Sequence, residues 1–195
     1  DVLPEKDLHE LFERAIAAVS LYRPGPMDYI PEYVRNMGDP SHITYDHALL
    51  EPILKRTYGV IVYQEQVMQI VQALGGYTLG RADVVRKAMG KKKEDVMAKE
   101  KKVFINGSEK DGIPGCKGNG INKEIATVIW GKMEKFAEYA FNKSHGTAYA
   151  YLAIITAYLS LYYPMEFRAS LLNAYLDNAD KQKVYLAQCI QAGVA

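Results

Sequence analysis

Apolar residues recur at intervals of three and four along most of this 195-residue chain, the spacing that gathers them on one face of an α-helix. This period predicts a succession of helices separated by short polar turns. We expect them at about residues 6–20, 28–36, 64–74, 80–89, 92–110, 123–139, 144–163, 165–176 and 181–191. The predicted fold class is therefore all-α, or mainly helical.

One segment departs from the helical period. Residues 58–63 (YGVIVY) are β-branched and aromatic, and they directly precede a predicted helix. Such a run is typical of β-structure. It predicts at most a short strand near 58–63, or an extended lead-in to the helix that follows.

Glycine and proline interrupt the helical pattern at 23–26, 75–76 and 111–120. The last of these stretches, DGIPGCKGNG, is expected to be a flexible connector. The whole chain, residues 1–195, is thus predicted to form a single helical region, with a first block at 1–110 and a second at 121–195.

The longest uncharged run, residues 146–165, is about as long as a helix that crosses a bilayer. Five tyrosines and three hydroxyl residues put polar atoms along this run, and an isolated span would have to satisfy them in lipid. Ala148, Leu152, Ile155 and Leu159 also repeat at helical spacing. We therefore expect a helix that packs against other helices, and no membrane partner.

Composition narrows the classes of function. A formal net charge of +1 argues against a uniformly basic protein that coats DNA. The two cysteines, Cys116 and Cys189, show no metal-ligand spacing, which suggests neither a disulfide framework nor a zinc site and favours a reducing cytoplasm. The charged first residues argue against a secretory signal. A helix close to the first residue and an end without a closing element predict a piece of a longer chain.

Positive charge is concentrated between Arg86 and Lys102, where eight basic residues oppose three acidic ones, a balance of eight minus three, or +5. Such a density attracts phosphates. A solvated helix face with ion pairs such as Asp83–Lys87 is the alternative. Gly90 is expected to let the chain turn, so that cations on both sides converge on one polyphosphate. The candidate phosphate ligands are Arg86, Lys87, Lys91, Lys92 and Lys93.

A second group of polar residues, FNKSH at 141–145, precedes the long apolar helix. Ser144 is the expected N-cap of that helix. The N-terminus of a helix also attracts anions, so that Lys143 and His145 would stand beside a phosphate-binding position. An Arg-Pro-Gly-Pro turn presents a further arginine. The candidate residues of this surface are Arg23, Asn142, Lys143, Ser144 and His145, although a purely architectural role stays open.

Common catalytic motifs are absent from the sequence. It contains no P-loop, HExxH or GxSxG pattern, and it lacks the convergent carboxylates of a two-metal phosphoryl-transfer site. We therefore predict no catalytic residue and no metal ligand in this chain. The polar run 63–66 (YQEQ) offers hydrogen-bonding groups at the start of a predicted helix, with no evident function.

Seven stretches together resemble the alpha subunit of bacterial DNA polymerase III, the C-family replicative polymerase, and they occur in the same order. They are YRPGPM (22–27), ITYDH (43–47), LEPILKRTYGVIVYQEQVMQI (50–70), GYTLGRAD (76–83), AMGKKK (88–93), FNKSH (141–145) and YYPMEF (162–167). The resemblance extends over nearly the whole chain. One departure is Lys87, which stands where arginine is frequent and would lose bidentate geometry.

In that family the corresponding region forms the fingers, which approach the incoming nucleotide and the template. The resemblance implies that Arg86, Lys87 and residues 91–93 grip the triphosphate, and that residues 142–145 shape the neighbouring surface. It places the catalytic aspartates and Mg²⁺ in the palm, outside this chain, so that the fragment should be inactive alone. The implied partners are template-primer DNA, deoxynucleoside triphosphates and other replicase subunits.

Two other functions stay open on the residues alone. The basic segment would equally suit a stand-alone helical module that binds nucleic acid. A purely structural helical domain would carry the same charges to solvate its surface. A stand-alone module is distinguished by whether the native reading frame continues on both sides of this chain. For a purely structural domain, charge reversal at Arg86 and Lys87 would leave nucleotide and DNA binding unchanged.

Overall fold

The computed structural model describes residues 5–91, 93–137, 139 and 141–193. These residues form α-helices joined by turns and short 3₁₀ helices, and β-pairing among them is limited to isolated bridges. The α-helices are α1 (Glu5–Leu21), α2 (Ile30–Gly38), α3 (Glu51–Leu54), α4 (Gln64–Gly75), α5 (Leu79–Gly90), α6 (Glu94–Asn106), α7 (Gly115–Gly118), α8 (Lys123–Ala137), α9 (Lys143–Tyr162), α10 (Pro164–Ala174) and α11 (Ala179–Gln191). The 3₁₀ helices are Pro26–Tyr29, Pro40–His42, Ala48–Leu50, Lys55–Thr57 and Glu109–Asp111. The predicted all-α class is confirmed.

The extended segment before α4 is a lead-in rather than a strand. Within 58–63, Tyr63 forms a single parallel bridge with Phe141. The buried side chain of Gln66 fixes this segment, because its Oε1 accepts hydrogen bonds from the backbone nitrogens of Val62 at 2.8 Å and Tyr63 at 2.9 Å. A side-chain amide thus takes the place of a neighbouring strand.

The chain divides into two compact units, Asp1–Thr147 and Ala148–Ala195. The loop at 111–120 lies inside the first unit, and the block boundary expected there stays a prediction. The first unit has a continuous apolar core built mainly from α4, α5, α6 and α8. Trp130 and Phe104 are fully buried in it, with ring centroids 5.3 Å apart. Burial of such side chains contributes about 1.5–3 kcal/mol each.

The loop at 111–120 was expected to be a flexible connector, but its middle is packed into the first unit and includes α7. Ile113 and Cys116 are buried, and Asn119 donates from Nδ2 to the carbonyl oxygen of Leu74 at 2.8 Å. Burial raises the pKa of the Cys116 thiol to about 12. At Gly115, glycine permits a close approach of two backbone segments.

Gly115 shows how close that approach is. A Cβ on Gly115 would lie 2.2 Å from the backbone nitrogen of Gly107, and φ at Gly115 is +67°. Gly112 has a similar φ of +64° but open space around it.

We expect Gly112→Ala to lower the free energy of unfolding by about 1 kcal/mol, from backbone strain alone. Gly115→Ala should lower it by about 3 kcal/mol, since overpacking adds to strain. Urea denaturation followed by circular dichroism measures both, and equal losses would contradict a steric role for Gly115.

The second unit contains the rest of α9 with α10 and α11. Tyr175 and Tyr185 pack with ring centroids 5.4 Å apart, and Gln182 donates to the carbonyl oxygen of Leu172 at 2.6 Å. Many of its large apolar side chains are exposed, including Tyr151, Leu152, Tyr158, Leu161, Tyr162, Leu176 and Ile190. Leu152 belongs to the face of α9 that was expected to pack against other helices, and this residue is exposed. No helix within the described ranges is long and apolar enough to span a bilayer.

Candidate nucleotide-binding site

At the start of the basic segment, α5 carries a compact group of three side chains, which we call the Asp83 cluster: Asp83, Arg86 and Lys87. Asp83 Oδ1 accepts from Arg86 Nε at 2.8 Å and lies 2.7 Å from Arg86 Nη2. Asp83 Oδ2 lies 2.6 Å from Lys87 Nζ. The helical spacings of three and four residues bring these groups to one face. Hydrogen bonds lower the pKa of Asp83, with the one from Lys87 contributing most and the one from Arg86 next, so Asp83 is a carboxylate at neutral pH.

The N-terminus of α4 contacts this cluster. Gln64 is the first residue of α4, and its Oε1 accepts from Arg86 Nη1 at 3.0 Å. The Arg86 guanidinium is therefore held by two residues on two different helices. Its side chain keeps 29% of its surface exposed, which leaves it accessible to a ligand.

The next residue of α4 holds the second predicted group. The Glu65 carboxylate accepts from the backbone nitrogen of Lys143 at 3.1 and 3.2 Å and lies 3.3 Å from Asn142 Nδ2. Consecutive residues of α4 thus contact the Asp83 cluster and the start of α9. The basic residues of α5 and the residues at the start of α9, which were predicted as separate groups, therefore both contact the first turn of α4.

The expected N-cap at Ser144 is wrong, because α9 begins one residue before it. Asn142 Oδ1 accepts from the backbone nitrogen of His145 at 2.9 Å, and the Asn142 carbonyl accepts from Gly146 at 3.1 Å. Asn142 is therefore the N-cap, and Ser144 is an exposed residue in the first turn. Because the Glu65 carboxylate already occupies the first amide, this helix N-terminus is not an empty anion site.

The other residues of the predicted surface support this turn. The Arg23 guanidinium lies 4.4 Å from the centre of the Phe141 ring, and it donates to the carbonyl oxygens of Ser20 and Tyr139. Burial lowers the pKa of Arg23. The rings of Phe141 and His145 meet edge to face, with centroids 5.2 Å apart. Arg23 is thus a structural anchor of the turn, which is the architectural role left open by the sequence.

Lys143 is engaged as well. Its Nζ lies 2.9 Å from Glu13 Oε2 and 5.3 Å from the centre of the Tyr63 ring. The largely buried Glu13 carboxylate therefore neutralises the charge of Lys143. Of the residues predicted in this group, Ser144 is exposed on the first turn of α9, while Lys143 is half-buried against its partners.

Lys91 and Lys93 are exposed in the turn between α5 and α6, and Lys92 lies outside the described residues. The chain turns as expected, but Gly90 is the last residue of α5 and does not adopt a positive φ. The turn therefore forms without the conformational freedom that was expected of this glycine.

A cavity of about 330 Å³ lies elsewhere in the first unit, walled by Tyr29, Tyr45 and Phe136 among others. None of the residues predicted for phosphate binding lines it. Within the described ranges, no cluster of three or more His, Cys, Asp or Glu side chains is placed to hold a metal ion.

Comparison with known proteins decides the family. Residues 8–112, which include the whole Asp83 cluster, match the family described as the bacterial DNA polymerase III alpha subunit finger domain. The chain belongs to this family.

Its relatives are DNA polymerase III alpha subunits. That of Neisseria meningitidis serogroup A is 49% identical over 183 residues, which are 94% of this chain and 15% of the relative. That of Chlamydia pneumoniae is 51% identical over 172 residues, 88% of this chain and 13% of the relative. That of Escherichia coli K12 is 45% identical over 194 residues, 95% of this chain and 16% of the relative. The chain thus spans about one seventh of the length of these proteins.

Three residues of the candidate site were not predicted as site residues from the sequence: Gln64, Glu65 and Asp83. The YQEQ run placed polar groups at a helix start, which was a signal for the first two, but it did not show which partners they would find. The spacing of Asp83 and Lys87 indicated an ion pair. It could not show that the same carboxylate also holds Arg86.

Glu65 can be tested as the link between α4 and α9. In the finger domain, Glu65→Gln should reduce the protection of the Lys143 amide in hydrogen exchange and destabilise the first turn of α9 by about 1 kcal/mol, because it removes a charge from the helix N-terminus. Glu124→Gln is the matched control, since Glu124 lies exposed in the first turn of α8. Equal losses of protection at both helix starts would contradict a specific role for Glu65.

Proposed function

We propose that this chain is the part of a DNA polymerase III alpha subunit that binds the triphosphate of the incoming nucleotide. The observation that carries the proposal is the Asp83 cluster, in which Arg86 and Lys87 stand side by side on α5. Arginine offers a forked array of donors for phosphate oxygens, and lysine adds a point charge. Membership of the finger domain family supports the same function.

In this proposal the chain contributes binding and orientation. Arg86 and Lys87 neutralise the triphosphate, and the exposed Lys91 and Lys93 add charge where α5 gives way to α6. Fixing the nucleotide in line with the primer 3′ hydroxyl lowers the barrier to phosphoryl transfer. Lys92 belongs to the same proposal by its place in the sequence.

The bond-making groups are proposed to lie in the palm, elsewhere in the full-length polymerase. Mg²⁺ would supply charge neutralisation and activation of the attacking oxygen there. Within the described residues, the finger domain offers no carboxylate cluster to hold it. No magnesium ligand is therefore proposed in this chain, and purified chain should not extend a primer.

Template-primer DNA is the second proposed ligand, in the cytoplasm and together with other replicase subunits. Ser144 and His145 on the first turn of α9 are the residues proposed to face DNA. Arg23, Asn142 and Lys143 would act indirectly, because their side chains hold that turn. Backbone phosphates are the expected contacts, and their binding should weaken as salt rises.

Fluorescence anisotropy of the full-length polymerase with a labelled deoxynucleoside triphosphate tests this function, in a salt series and with an Arg86, Lys87 and Lys91 to alanine variant. Salt-sensitive nucleotide binding that the variant loses would support the proposal. Nucleotide binding that the variant keeps would contradict it. Primer extension by purified chain, free of contaminating polymerase, would overturn the division of labour between fingers and palm.

A further inference from the structure

The proposed triphosphate site contains an anion of its own. One carboxylate, that of Asp83, contacts both cations of the cluster: Oδ1 is 2.8 Å from Arg86 Nε and 2.7 Å from Nη2, and Oδ2 is 2.6 Å from Lys87 Nζ. A phosphate approaching either cation therefore meets a group of its own sign. A phosphate that binds through the Nε and Nη2 edge of Arg86 competes with Asp83 for the same donors.

Counting donors shows how direct that competition is. A guanidinium has five N–H groups. Asp83 contacts two of the Arg86 nitrogens, Nε and Nη2, and Gln64 accepts a hydrogen bond from the third, Nη1. A phosphate that binds bidentately along the Nε and Nη2 edge must displace the carboxylate. Gln64 can keep its hydrogen bond during that exchange, because it acts on the other terminal nitrogen.

The exchange is feasible because the pairs are partly exposed. The exposed fractions of the side chains are 32% for Asp83, 29% for Arg86 and 61% for Lys87. Ion pairs at such positions are weak, since water screens them. A triphosphate carries several negative charges and offers more acceptor oxygens than one carboxylate, so it can take over both cations.

We propose that Asp83 is an internal counter-anion of the nucleotide site. It holds Arg86 and Lys87 in place before the nucleotide arrives, yields them to the triphosphate, and takes them back as pyrophosphate leaves. This inference rests on the proposed function, because it requires that Arg86 and Lys87 bind the triphosphate. It adds that the charge of Asp83 weakens the binding of both nucleotide and pyrophosphate.

The test is Asp83→Asn in the full-length polymerase, measured by steady-state primer extension. Asparagine keeps the shape and one acceptor oxygen while it removes the charge. We expect the KM for deoxynucleoside triphosphate to fall about three- to tenfold, the range for one or two partly exposed charge pairs. The inhibition constant of pyrophosphate should fall by a similar factor.

Asp95→Asn is the matched control. It removes one carboxylate charge from the basic segment itself, and Asp95 lies exposed in the first turn of α6, outside the Asp83 cluster. We expect this variant to leave both constants unchanged. Equal effects of the two variants would overturn the proposal, because the cause would then be the overall charge of the segment.

Two further results would also overturn it. A higher KM in Asp83→Asn would show that Asp83 positions Arg86 for the nucleotide instead of competing with it. An unchanged KM would show that the pair is a surface contact without influence on binding. Arg86→Ala, measured in parallel, separates this inference from its basis. If Arg86→Ala leaves the KM unchanged, the proposed function fails; if only Asp83→Asn is without effect, the counter-anion alone fails.

Discussion

Arg86→Ala in the full-length polymerase is expected to raise the KM for deoxynucleoside triphosphate by about 10- to 100-fold, since a charge-assisted hydrogen bond is worth roughly 1.5–3 kcal/mol. The physical reason is the loss of the forked donor array that Gln64 and Asp83 hold on α5. Single-nucleotide incorporation at increasing nucleotide concentration measures the effect. The KM of Arg86→Lys should lie between those of the unchanged enzyme and Arg86→Ala, because lysine keeps the charge and loses the forked donor array.

Lys102→Ala is the control for general charge. Lys102 lies exposed on α6 within the same basic segment and is not part of the Asp83 cluster. Its removal should change the KM little. The proposed function would be contradicted if Arg86→Ala lowered the thermal stability of the polymerase and left nucleotide use intact.

The largest expected effect on stability is at a buried ion pair. The Glu100 side chain is only 4% exposed, and Arg81 contacts both of its oxygens, at 2.9 Å to Oε1 and 3.1 Å to Oε2. The hydrogen bond to Glu100 raises the pKa of Arg81. Arg81→Met would leave the Glu100 carboxylate buried, with the Tyr77 hydroxyl at 3.2 Å as its side-chain partner within the described residues. We expect a loss of about 3–5 kcal/mol in the free energy of unfolding, measured by urea denaturation.

A double variant separates the pair from simple packing. Arg81→Met with Glu100→Leu removes both charges and should recover most of the loss, because apolar replacements of buried pairs are close to neutral. The Tyr77 hydroxyl would still donate a hydrogen bond to the backbone carbonyl oxygen of residue 100, at 3.2 Å. Lys55→Met is the control: Lys55 and Glu51 are 75% and 55% exposed, so the loss should stay under about 0.5 kcal/mol. A similar loss in Lys55→Met and Arg81→Met would refute the role of burial.

The sequence predicts the long helices well where their own period decides the structure. α4 and α5 begin and end within a residue of expectation, because apolar spacing and the glycines that follow are local signals. α3 and α7 were not predicted, since four residues are too few to show a period. The packing of 111–120 was missed for a different reason. Glycine supports both a mobile loop and a close backbone approach, and only the neighbouring chain distinguishes them.

The site illustrates the limit set by long-range contacts. FNKSH contains two residues that can cap a helix, Asn142 and Ser144, and local propensity does not choose between them. The choice follows from Glu65, 78 residues away, which accepts from the Lys143 amide. The basic segment was recognised from its charge alone. That Asp83 and Gln64 organise Arg86 depends on the packing of α4 and α5, which no local pattern encodes.

The buried Trp130 makes the first unit optically distinct. It is the single tryptophan of the chain, while Ala148–Ala195 contains tyrosines but no tryptophan. Its fluorescence should shift to longer wavelength when water reaches the ring, so the emission reports unfolding of the first unit alone. Circular dichroism reports the helices of both units. Comparing the two signals on one sample, without any added label, therefore reveals whether the units lose their structure in one transition or in two.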